Sequence, residues 1–235
     1  MARPRLIDDD KLLQRAMMVF WQNGFGATGI RELEDATGLR APGLYHRFGS
    51  KEGLFEAALE HYLQMVVGWR VRHFLEGADA VPPDDRDRKE AYDKHDALAG
   101  LRRFLETTYD YADGKRPAMA CLLVNTSMEM GGAHDTVDAV LLRGAQKIRA
   151  GFEHNLQRLQ RDGRLPADTD IAAHAEHLQL CLQGLLVSSR MEEDKASLDR
   201  KVRLILSTLP LIAPASPPST LPSTLSSTLP RKKTP

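Results

Sequence analysis

The sequence predicts an all-α protein in which a small unit of three helices precedes a larger helical body. Apolar residues recur three and four positions apart along most of the chain as far as Leu209, which is typical of amphipathic helices. Glycine and proline interrupt this pattern at intervals, as at Asn23-Gly24. The segment from Gly38 to Lys51 indicates a turn, a short helix, a second turn and the capped start of a long helix.

The chain before this segment predicts two amphipathic helices. Asn23-Gly24 ends the first, because glycine accepts the left-handed backbone that a helix end commonly needs, and Phe25 is expected to return to the core. Thr28 is expected to cap the second helix, which Gly38 closes. The inward-facing apolar residues are Leu13, Ala16, Met17 and Phe20 in the first helix and Ile30, Leu33 and Ala36 in the second.

The short third helix is expected to start near Arg40 and to lie on the surface. Pro42 suits its first turn, where the missing N–H would be unpaired anyway. Leu44 and Phe48 lie four positions apart, so they share the face that anchors the helix. The residues left facing outward are Arg40, Ala41, Pro42, Gly43, Tyr45, His46 and Arg47. A face with an aromatic ring, an imidazole and two guanidiniums suits a polyanion such as DNA.

This N-terminal block resembles the DNA-binding domain of the tetracycline-repressor (TetR) family of transcriptional regulators. The matching residues are Ala16, Phe20, Gly24-Phe25, Ala27-Thr28, Ile30-Arg31-Glu32-Leu33, Gly38-Leu39, Leu44-Tyr45, Phe48 and Ser50-Lys51-Glu52. Two positions depart from the family, which usually has a small hydroxylated residue where Arg40 stands and Ser or Thr where Gly43 stands. The resemblance implies a helix-turn-helix whose second helix enters the major groove of a double-stranded DNA operator.

The resemblance also implies which side chains contact DNA. Those nearest the base edges are expected to be Arg40, Ala41, Pro42 and Gly43, and those on the sugar–phosphate backbone Tyr45, His46, Arg47 and Lys51. Ser50 is expected to cap the fourth helix, and a helix N-terminus beside Lys51 suits a phosphate. The full predicted set of DNA-contacting residues is Thr28, Arg31, Arg40, Ala41, Pro42, Gly43, Tyr45, His46, Arg47 and Lys51.

Composition excludes several other classes of protein. The formal net charge is +0, so the positive charge for DNA must be confined to one face. Two cysteines, Cys121 and Cys181, make no disulfide framework, which favours a cytoplasmic location. No signal peptide or membrane-length apolar run is visible, so no membrane partner is expected. We find no nucleophile–base pair, glycine-rich phosphate loop or telling carboxylate pair, so the sequence predicts no enzyme, no catalytic residue and no cofactor or metal.

The rest of the chain predicts six further helical stretches and a tail. The fourth helix is expected to present Phe55, Ala58, Tyr62, Met65 and Trp69 on one face. The later helices are expected over Leu98–Tyr109, Ala118–Met130 (buried on most sides), Val137–Leu156, Ile171–Leu185 and Leu198–Leu209. Loops are expected from Gly77 to Asp96 and at Gly114–Pro117. We therefore predict a DNA-binding domain over 1–50, an effector-binding and dimerisation domain over 51–210, and a disordered Pro/Ser/Thr-rich tail over 211–235.

The last two predicted helices carry apolar stripes with the spacing of helix-bundle seams. The stripe residues are Ile171, Ala175, Leu178, Leu182 and Leu185 in one helix and Leu198, Val202, Ile205 and Leu209 in the other. The resemblance implies that these two helices form a four-helix interface in a homodimer. The alternative is that the stripes belong to the core of a single chain.

The resemblance further implies a pocket for a small-molecule effector in the helical body. Its predicted liners are Trp69, Phe104, Tyr109, Cys121, Asn125, Met128, Phe152 and His177, although each suits an ordinary core as well. Mostly apolar walls with few polar groups would suit an apolar or aromatic ligand. The function implied is that of a ligand-responsive dimeric regulator, most simply a repressor, which binds a palindromic operator.

Two other sensing chemistries stay open on the residues alone. Cys121 follows a Lys-Arg pair at a helix start, which can lower the pKa of a thiol and make it a redox sensor; the alternative is a small core residue. His174, His177 and Cys181 lie three and four apart, a spacing that can hold a borderline metal.

Overall fold

The computed structural model describes residues 9–77, 96–109, 121–191 and 194–212. Within these ranges the chain forms helices and no strand, which confirms the all-α prediction. The α-helices are α1 Asp9–Ala27, α2 Ile30–Thr37, α3 Ala41–Phe48, α4 Lys51–Tyr62, α5 Ala97–Glu106, α6 Leu122–Met130, α7 Asp135–Arg161, α8 Ile171–Met191 and α9 Lys195–Ser207. None of the helices in the described part of the chain has the length and apolar character needed to cross a membrane.

Helices α1 to α3 form the predicted small unit, which rests on α4. The ring of Phe55 in α4 packs edge-on against Phe20 of α1, with 4.9 Å between ring centroids, and lies 5.1 Å from Phe25. Helix α1 is broken at Gly24, whose φ of 78° and ψ of 174° lie outside the helical region. Phe25 therefore does return to the core, as its position after the break predicts.

The predicted cap of α2 is wrong by one residue. The capping position is Gly29, whose N–H donates to the carboxylate of Glu32 at 2.8 Å. The hydroxyl of Thr28 instead donates to the carbonyl oxygen of Gly24 at 2.6 Å, and the side chain is buried. Thr28 thus stabilises the break in α1. Its hydroxyl bonds to a carbonyl oxygen one turn earlier in the chain, so it does not cap the start of α2.

The predicted face of the fourth helix fails beyond Tyr62. There α4 runs on without a break into two π-helical segments, Leu63–Gly68 and Val71–Glu76. A π-helical turn holds more residues than an α-helical turn, so the buried face follows a longer period. The buried residues there are Leu63, Val67, Val71 and Leu75, four apart, while Met65 and Trp69 are exposed.

The helical body is built around α7. A Cβ at Gly151 of α7 would lie 2.8 Å from Val71 and 2.9 Å from Leu75, so the absence of a side chain there lets α7 cross the π-helical segments closely. Helices α5, α8 and α9 surround the same core, and Phe104 of α5 packs edge-on against Phe152 of α7 at 5.4 Å.

Helix α6 is less buried than predicted. Leu122, Leu123 and Met130 are buried, but Met128 is 83% exposed and lines a groove beside the end of α1. The predicted residues 118–120, the loop over 78–95, the break at 114–117 and the tail from 213 lie outside the described residues. The two predicted boundaries between the three domains, at 50/51 and 210/211, stay predictions.

Candidate functional site

The free face of α3 is the first candidate site. Leu44 is fully buried and Phe48 is half-buried, so these two side chains hold the helix on the core, as their spacing predicts. On the other side the Arg40 side chain is 85% exposed and Tyr45 is 43% exposed. The further exposed or half-exposed side chains on this face are Ala41, Pro42, His46 and Arg47.

The start of α3 is held in place by Glu34 of α2. One oxygen of that carboxylate, Oε1, accepts a hydrogen bond from the backbone N–H of Ala41 at 2.6 Å. The other oxygen lies 3.7 Å from Nη1 of Arg40. Gly43 lies close to the turn, where a Cβ would come within 3.2 Å of Leu39. The carboxylate thus holds the first turn of α3 against α2. A side chain at Gly43 would require the end of Leu39 to move by a few tenths of an ångström.

Two basic side chains beside α3 make contacts within the DNA-binding unit. Arg47 donates to the carboxylate of Asp9 at the start of α1. Lys51 lies over the ring of Phe25, with Nζ 4.4 Å from the ring centroid. Lys51 is the first residue of α4, and a helix N-terminus attracts anions.

The cap of α4 matches the prediction. Ser50 accepts a hydrogen bond from the backbone N–H of Gly53 at 3.1 Å. A hydrogen bond from its own backbone N–H, then one from Ser50, lowers the pKa of Glu52, so this carboxylate stays ionised in the first turn. An anionic Glu52 beside Lys51 limits the positive potential at this helix start.

A cavity of about 350 Å³ in the helical body is the second candidate site. It lies between α6, α7 and α8 and is mostly apolar. Its lining residues are Cys121, Leu123, Val124 and Ser127 beside and along α6, Leu141, Leu142, Ala145 and Ile148 of α7, and Gln179, Leu182, Gln183 and Leu186 of α8. Two glutamine amides, one hydroxyl and one thiol are the polar groups on these walls, so the cavity offers a few directional contacts within an apolar surface.

One wall of the cavity has a buried polar contact behind it. The phenol of Tyr62 donates to Sγ of Cys121 at 3.5 Å. Burial raises the pKa of Tyr62 well above its usual value, and the neighbouring Cys121 raises it further. Tyr62 therefore stays protonated and remains a hydrogen-bond donor to the sulfur.

Comparison with known proteins identifies the family. Residues 12–58 match the family described as "Bacterial regulatory proteins, tetR family", and residues 97–205 match "Tetracyclin repressor-like, C-terminal domain". Over 210 residues the chain is 30% identical to the HTH-type transcriptional repressor ComR of Escherichia coli, covering 89% of this chain and 90% of ComR. The chain belongs to the TetR family of bacterial transcriptional regulators.

Solved structures of TetR-family proteins have the same fold. A cysteine-substituted CifR in complex with 26-bp operator DNA is 30% identical, with a TM-score of 0.69 and coverage of 89% of this chain and all of that one. The reduced form of Escherichia coli NemR has a TM-score of 0.70 over 89% of this chain and all of that one, at 17% identity. The NemR comparison shows a shared fold alone.

Two predicted DNA-contacting residues lie away from the free face of α3. Thr28 is 1% exposed and its hydroxyl is bonded to the carbonyl of Gly24, so its side chain is not available to a phosphate. Arg31 is exposed on the outer side of α2. The described helix-turn-helix therefore favours a DNA contact by the α3 residues and Lys51 over one by Thr28.

The predicted effector-pocket residues are dispersed through the TetR-family body. Cys121 lines the cavity, while Asn125 and Met128 face a separate groove beside α1. Phe104 and Phe152 pack against each other in the core, and the Tyr109 hydroxyl donates to Asp199 at 2.9 Å. In two further cases the side chain contacts its own helix. Trp69 stacks on His73, and His177 lies beside Cys181.

The residues of α7 and α8 that line the cavity were not among the predicted pocket residues. Leu141, Ala145 and Ile148 carry the period of a core helix, and nothing in that pattern distinguishes a cavity wall from a packed interior. Gln179 and Gln183 are a better signal, because these two amides lie four positions apart among the leucines of α8. Their position on one face of α8 was the sequence feature that could have located the site.

The three side chains of the alternative metal site do not come together. Nε2 of His177 lies 3.5 Å from Sγ of Cys181, but His174 does not join them, and within the described residues no three metal-binding side chains converge. Burial raises the pKa of Cys181, which disfavours the thiolate that binds a metal. The pair is a contact within one helix.

The apolar stripes of α8 and α9 are buried within the single chain. Leu178 and Val202 are at most 1% exposed, so the intrachain alternative applies to these side chains. The opposite faces of the two helices expose other apolar residues, namely Leu180, Val187, Met191 and Leu204. At Gly184, between Leu180 and Val187, a Cβ would meet open space. This outer face is apolar and uncovered by any described part of the chain.

Proposed function

We propose that this TetR-family chain is a homodimeric repressor that binds a palindromic double-stranded DNA operator through α3. The observation that carries the proposal is the free face of α3, held at its start by Glu34 and rich in groups that bind DNA. The CifR structure, 30% identical over 89% of this chain, supports it, because that protein was solved with operator DNA. A regulator of this kind acts where the chromosome is, which in bacteria is the cytoplasm.

The contacts divide by chemistry. Arg40 is the residue suited to a guanine edge, because its guanidinium can donate two parallel hydrogen bonds. Ala41 and Pro42 suit a thymine methyl group. Tyr45 and His46 lie further along the exposed face and are assigned to phosphates, which fix the register of the helix without specifying sequence.

We further propose that the cavity between α6, α7 and α8 binds the effector. Its walls suit a small apolar or aromatic molecule that also accepts or donates one or two hydrogen bonds, to the amides of Gln179 and Gln183. To switch operator occupancy from about 99% to about 1%, such a ligand must bind the DNA-free conformation about 10⁴-fold more tightly.

The dimer is assigned to the outer faces of α8 and α9. Leu180, Val187 and Leu204 give each chain an exposed apolar surface there. Two copies related by a two-fold axis would bury these surfaces against each other and present two α3 helices to the two halves of a palindrome.

A second sensing chemistry is favoured by one observation. Cys121 both lines the cavity and accepts a hydrogen bond from Tyr62. A molecule that reacts with thiols would therefore meet Cys121 inside the effector site. Release of DNA that persists in a Cys121→Ser variant assigns sensing to reversible binding, and release that is lost in this variant assigns it to the thiol.

The proposal is tested by DNA binding of the purified protein. The probes are the promoter fragment next to its own gene and a pool of random duplexes from which binding sites are selected. We expect a palindromic footprint whose affinity falls steeply with salt. An Arg40→Ala/Tyr45→Ala double variant should lose the footprint, whereas Arg161→Ala, which removes one exposed charge at the end of α7, should keep it. Selection that enriches no site, with equal binding to all duplexes, would refute the proposal.

A further inference from the structure

The helical body reaches across to the DNA-binding unit through Glu129. This residue lies near the end of α6, and its carboxylate accepts two backbone hydrogen bonds from the chain just after the break in α1. Oε2 accepts from the N–H of Phe25 at 3.0 Å, and Oε1 accepts from the N–H of Gly26 at 2.6 Å. Hydrogen bonds to an ionised carboxylate are stronger than those between neutral groups, so this is a firm contact between two distant parts of the chain.

The receiving turn is shaped around that carboxylate. Gly24 has a φ of 78° and a ψ of 174°, a backbone region that is essentially restricted to glycine. A Cβ at Gly24 would lie 2.8 Å from Oε2 of Glu129, and a Cβ at Gly26 would lie 3.1 Å from Oε1. Both glycines therefore leave room for the carboxylate, and side chains at these positions would push it away.

Helix α6 connects this contact to the cavity. Leu123, Val124 and Ser127 line the cavity on one side of the helix. Asn125, Met128 and Glu129 line a groove on its other side, against the end of α1. Helix α6 has only nine residues, so a movement of its cavity-facing side also moves the side that carries Glu129.

Helix α8 also lines this groove, through Arg190. Nη1 of Arg190 donates to Oδ1 of Asn125 at 2.9 Å, which ties α6 to a helix that also lines the cavity. A ligand that separates α6 from α8 would strain this contact and the one made by Glu129 together.

We propose that Glu129 is a positioning residue for DNA binding. Its carboxylate fixes the turn at Gly24–Gly26, from which the chain enters α2 and then α3, and a ligand in the cavity weakens DNA binding by withdrawing it. The inference rests on the proposed function in two respects, namely that α3 binds DNA and that the cavity binds the effector. It adds the residue through which the cavity and the helix-turn-helix are connected.

The first test is Glu129→Gln. Glutamine keeps the shape of the side chain but has one acceptor oxygen and turns an NH₂ group towards the other N–H donor. We expect operator affinity to fall about tenfold, the loss typical when one hydrogen bond to a charged group is broken. The matched control is Glu153→Gln, since that carboxylate pairs with Arg149 along α7. Equal affinity of Glu129→Gln and wild type for the operator would overturn the proposal.

A second measurement needs no DNA. Amide hydrogen exchange at Phe25 or at Gly26 should be at least about tenfold faster in Glu129→Gln than in wild type, because one of the two N–H groups loses its acceptor and the other keeps only a neutral one. Unchanged exchange would show that Glu129 does not hold the turn. If wild type bound no DNA but this exchange difference appeared, the proposed function would fail while the contact between α6 and the turn stood.

The connection to the cavity is tested with a side chain in place of the unidentified ligand. Ala145→Phe fills the cavity from α7, and Ala145→Leu is the milder variant if the first does not fold. We expect the filled cavity to weaken operator binding in the wild-type background and to have less than about a twofold further effect in Glu129→Gln. If the losses of operator affinity in the two single variants simply multiply in the double variant, the cavity does not act through Glu129. That result would refute the proposed link between the cavity and the turn at Gly24–Gly26.

Discussion

Glu34 and Ala41 connect the two helices of the DNA-binding motif through a single hydrogen bond of 2.6 Å, from the backbone N–H of Ala41 to the Glu34 carboxylate. The N–H groups in the first turn of a helix have no partner within it. Glu34 supplies one from the preceding helix, and the same carboxylate lies near Arg40. The orientation of α3 thus depends on a side chain that does not itself face DNA.

We expect Glu34→Ala to lower the free energy of unfolding by about 2 kcal/mol, since the carboxylate is largely buried and its loss leaves the Ala41 N–H without its partner. Operator affinity should fall as well, because α3 loses its fixed angle. Denaturant unfolding and DNA titration measure the two effects. Asp35→Ala removes an exposed acid from the same helix and should change neither; equal behaviour of the two variants would contradict this role for Glu34.

We expect Gly24→Ala to destabilise the protein by about 2 kcal/mol or more, because alanine is strained at this backbone conformation. The added methyl group would also approach Oε2 of Glu129 to 2.8 Å. Thermal and denaturant unfolding check the prediction. Gly184→Ala is the matched control, since a Cβ there meets open space within a helix, and it should leave stability unchanged or raise it. A Gly24→Ala variant as stable as Gly184→Ala would contradict the assignment of strain.

We expect stability to decline at acidic pH partly through His154. Burial lowers the pKa of this imidazole below its usual value of 6.5, and nearby arginines contribute to the shift. The unfolded chain therefore binds a proton more readily than the folded one. The stabilising contribution is complete above the unfolded pKa and is lost as the pH falls through the folded pKa.

The measurement for His154 is the free energy of unfolding at roughly pH 7.5 and roughly pH 5.5, on either side of the usual histidine pKa. His154→Gln should show a smaller decline than wild type over this interval. His61→Gln, which removes an imidazole from a different helix, α4, serves as the control. Identical declines in wild type and His154→Gln would exclude this contribution.

We expect Leu204→Asp and Val187→Asp each to weaken the dimer, because a carboxylate on the outer faces of α8 and α9 would be desolvated in the proposed interface. Sedimentation equilibrium measures the shift towards monomer, and operator affinity should fall in parallel. Met65→Asp places the same charge on an exposed apolar position of the π-helical segment and should leave the assembly unchanged. Undiminished dimerisation in both variants would move the interface away from α8 and α9.

Local signals in the sequence predicted most of the DNA-binding unit. Gly38 ends α2 with a φ of 75°, Pro42 lies in the first turn of α3, and Ser50 caps α4, each as its residue type indicates. These outcomes depend on a few neighbouring residues, so a single sequence carries them. The cap of α2 was wrong by one residue, because Gly29 has no side-chain cap of its own and depends on Glu32 three residues further on.

The α-helical period was reliable only where the helix stayed α-helical. Met65 and Trp69 were predicted on the buried face, but the π-helical turns rotate that face to Leu63, Val67 and later residues. The second π-helical segment is also where Val71 and Leu75 closely approach Gly151 of α7. No residue type in the segment Leu63–Gly68 predicts the change from α-helical to π-helical turns.

The all-helical fold, the family and the exposed residues of α3 could be predicted from the chain alone, since each depends on local pattern or on resemblance over short distances. The place of the cavity, the free face of α8 and α9, and the contact of Glu129 with a turn 103 and 104 residues away became visible in the folded protein. Those features arise where separate helices meet, and helix packing is set by the sum of many side-chain contacts. Periodicity along one helix specifies a buried side but not the partner that covers it.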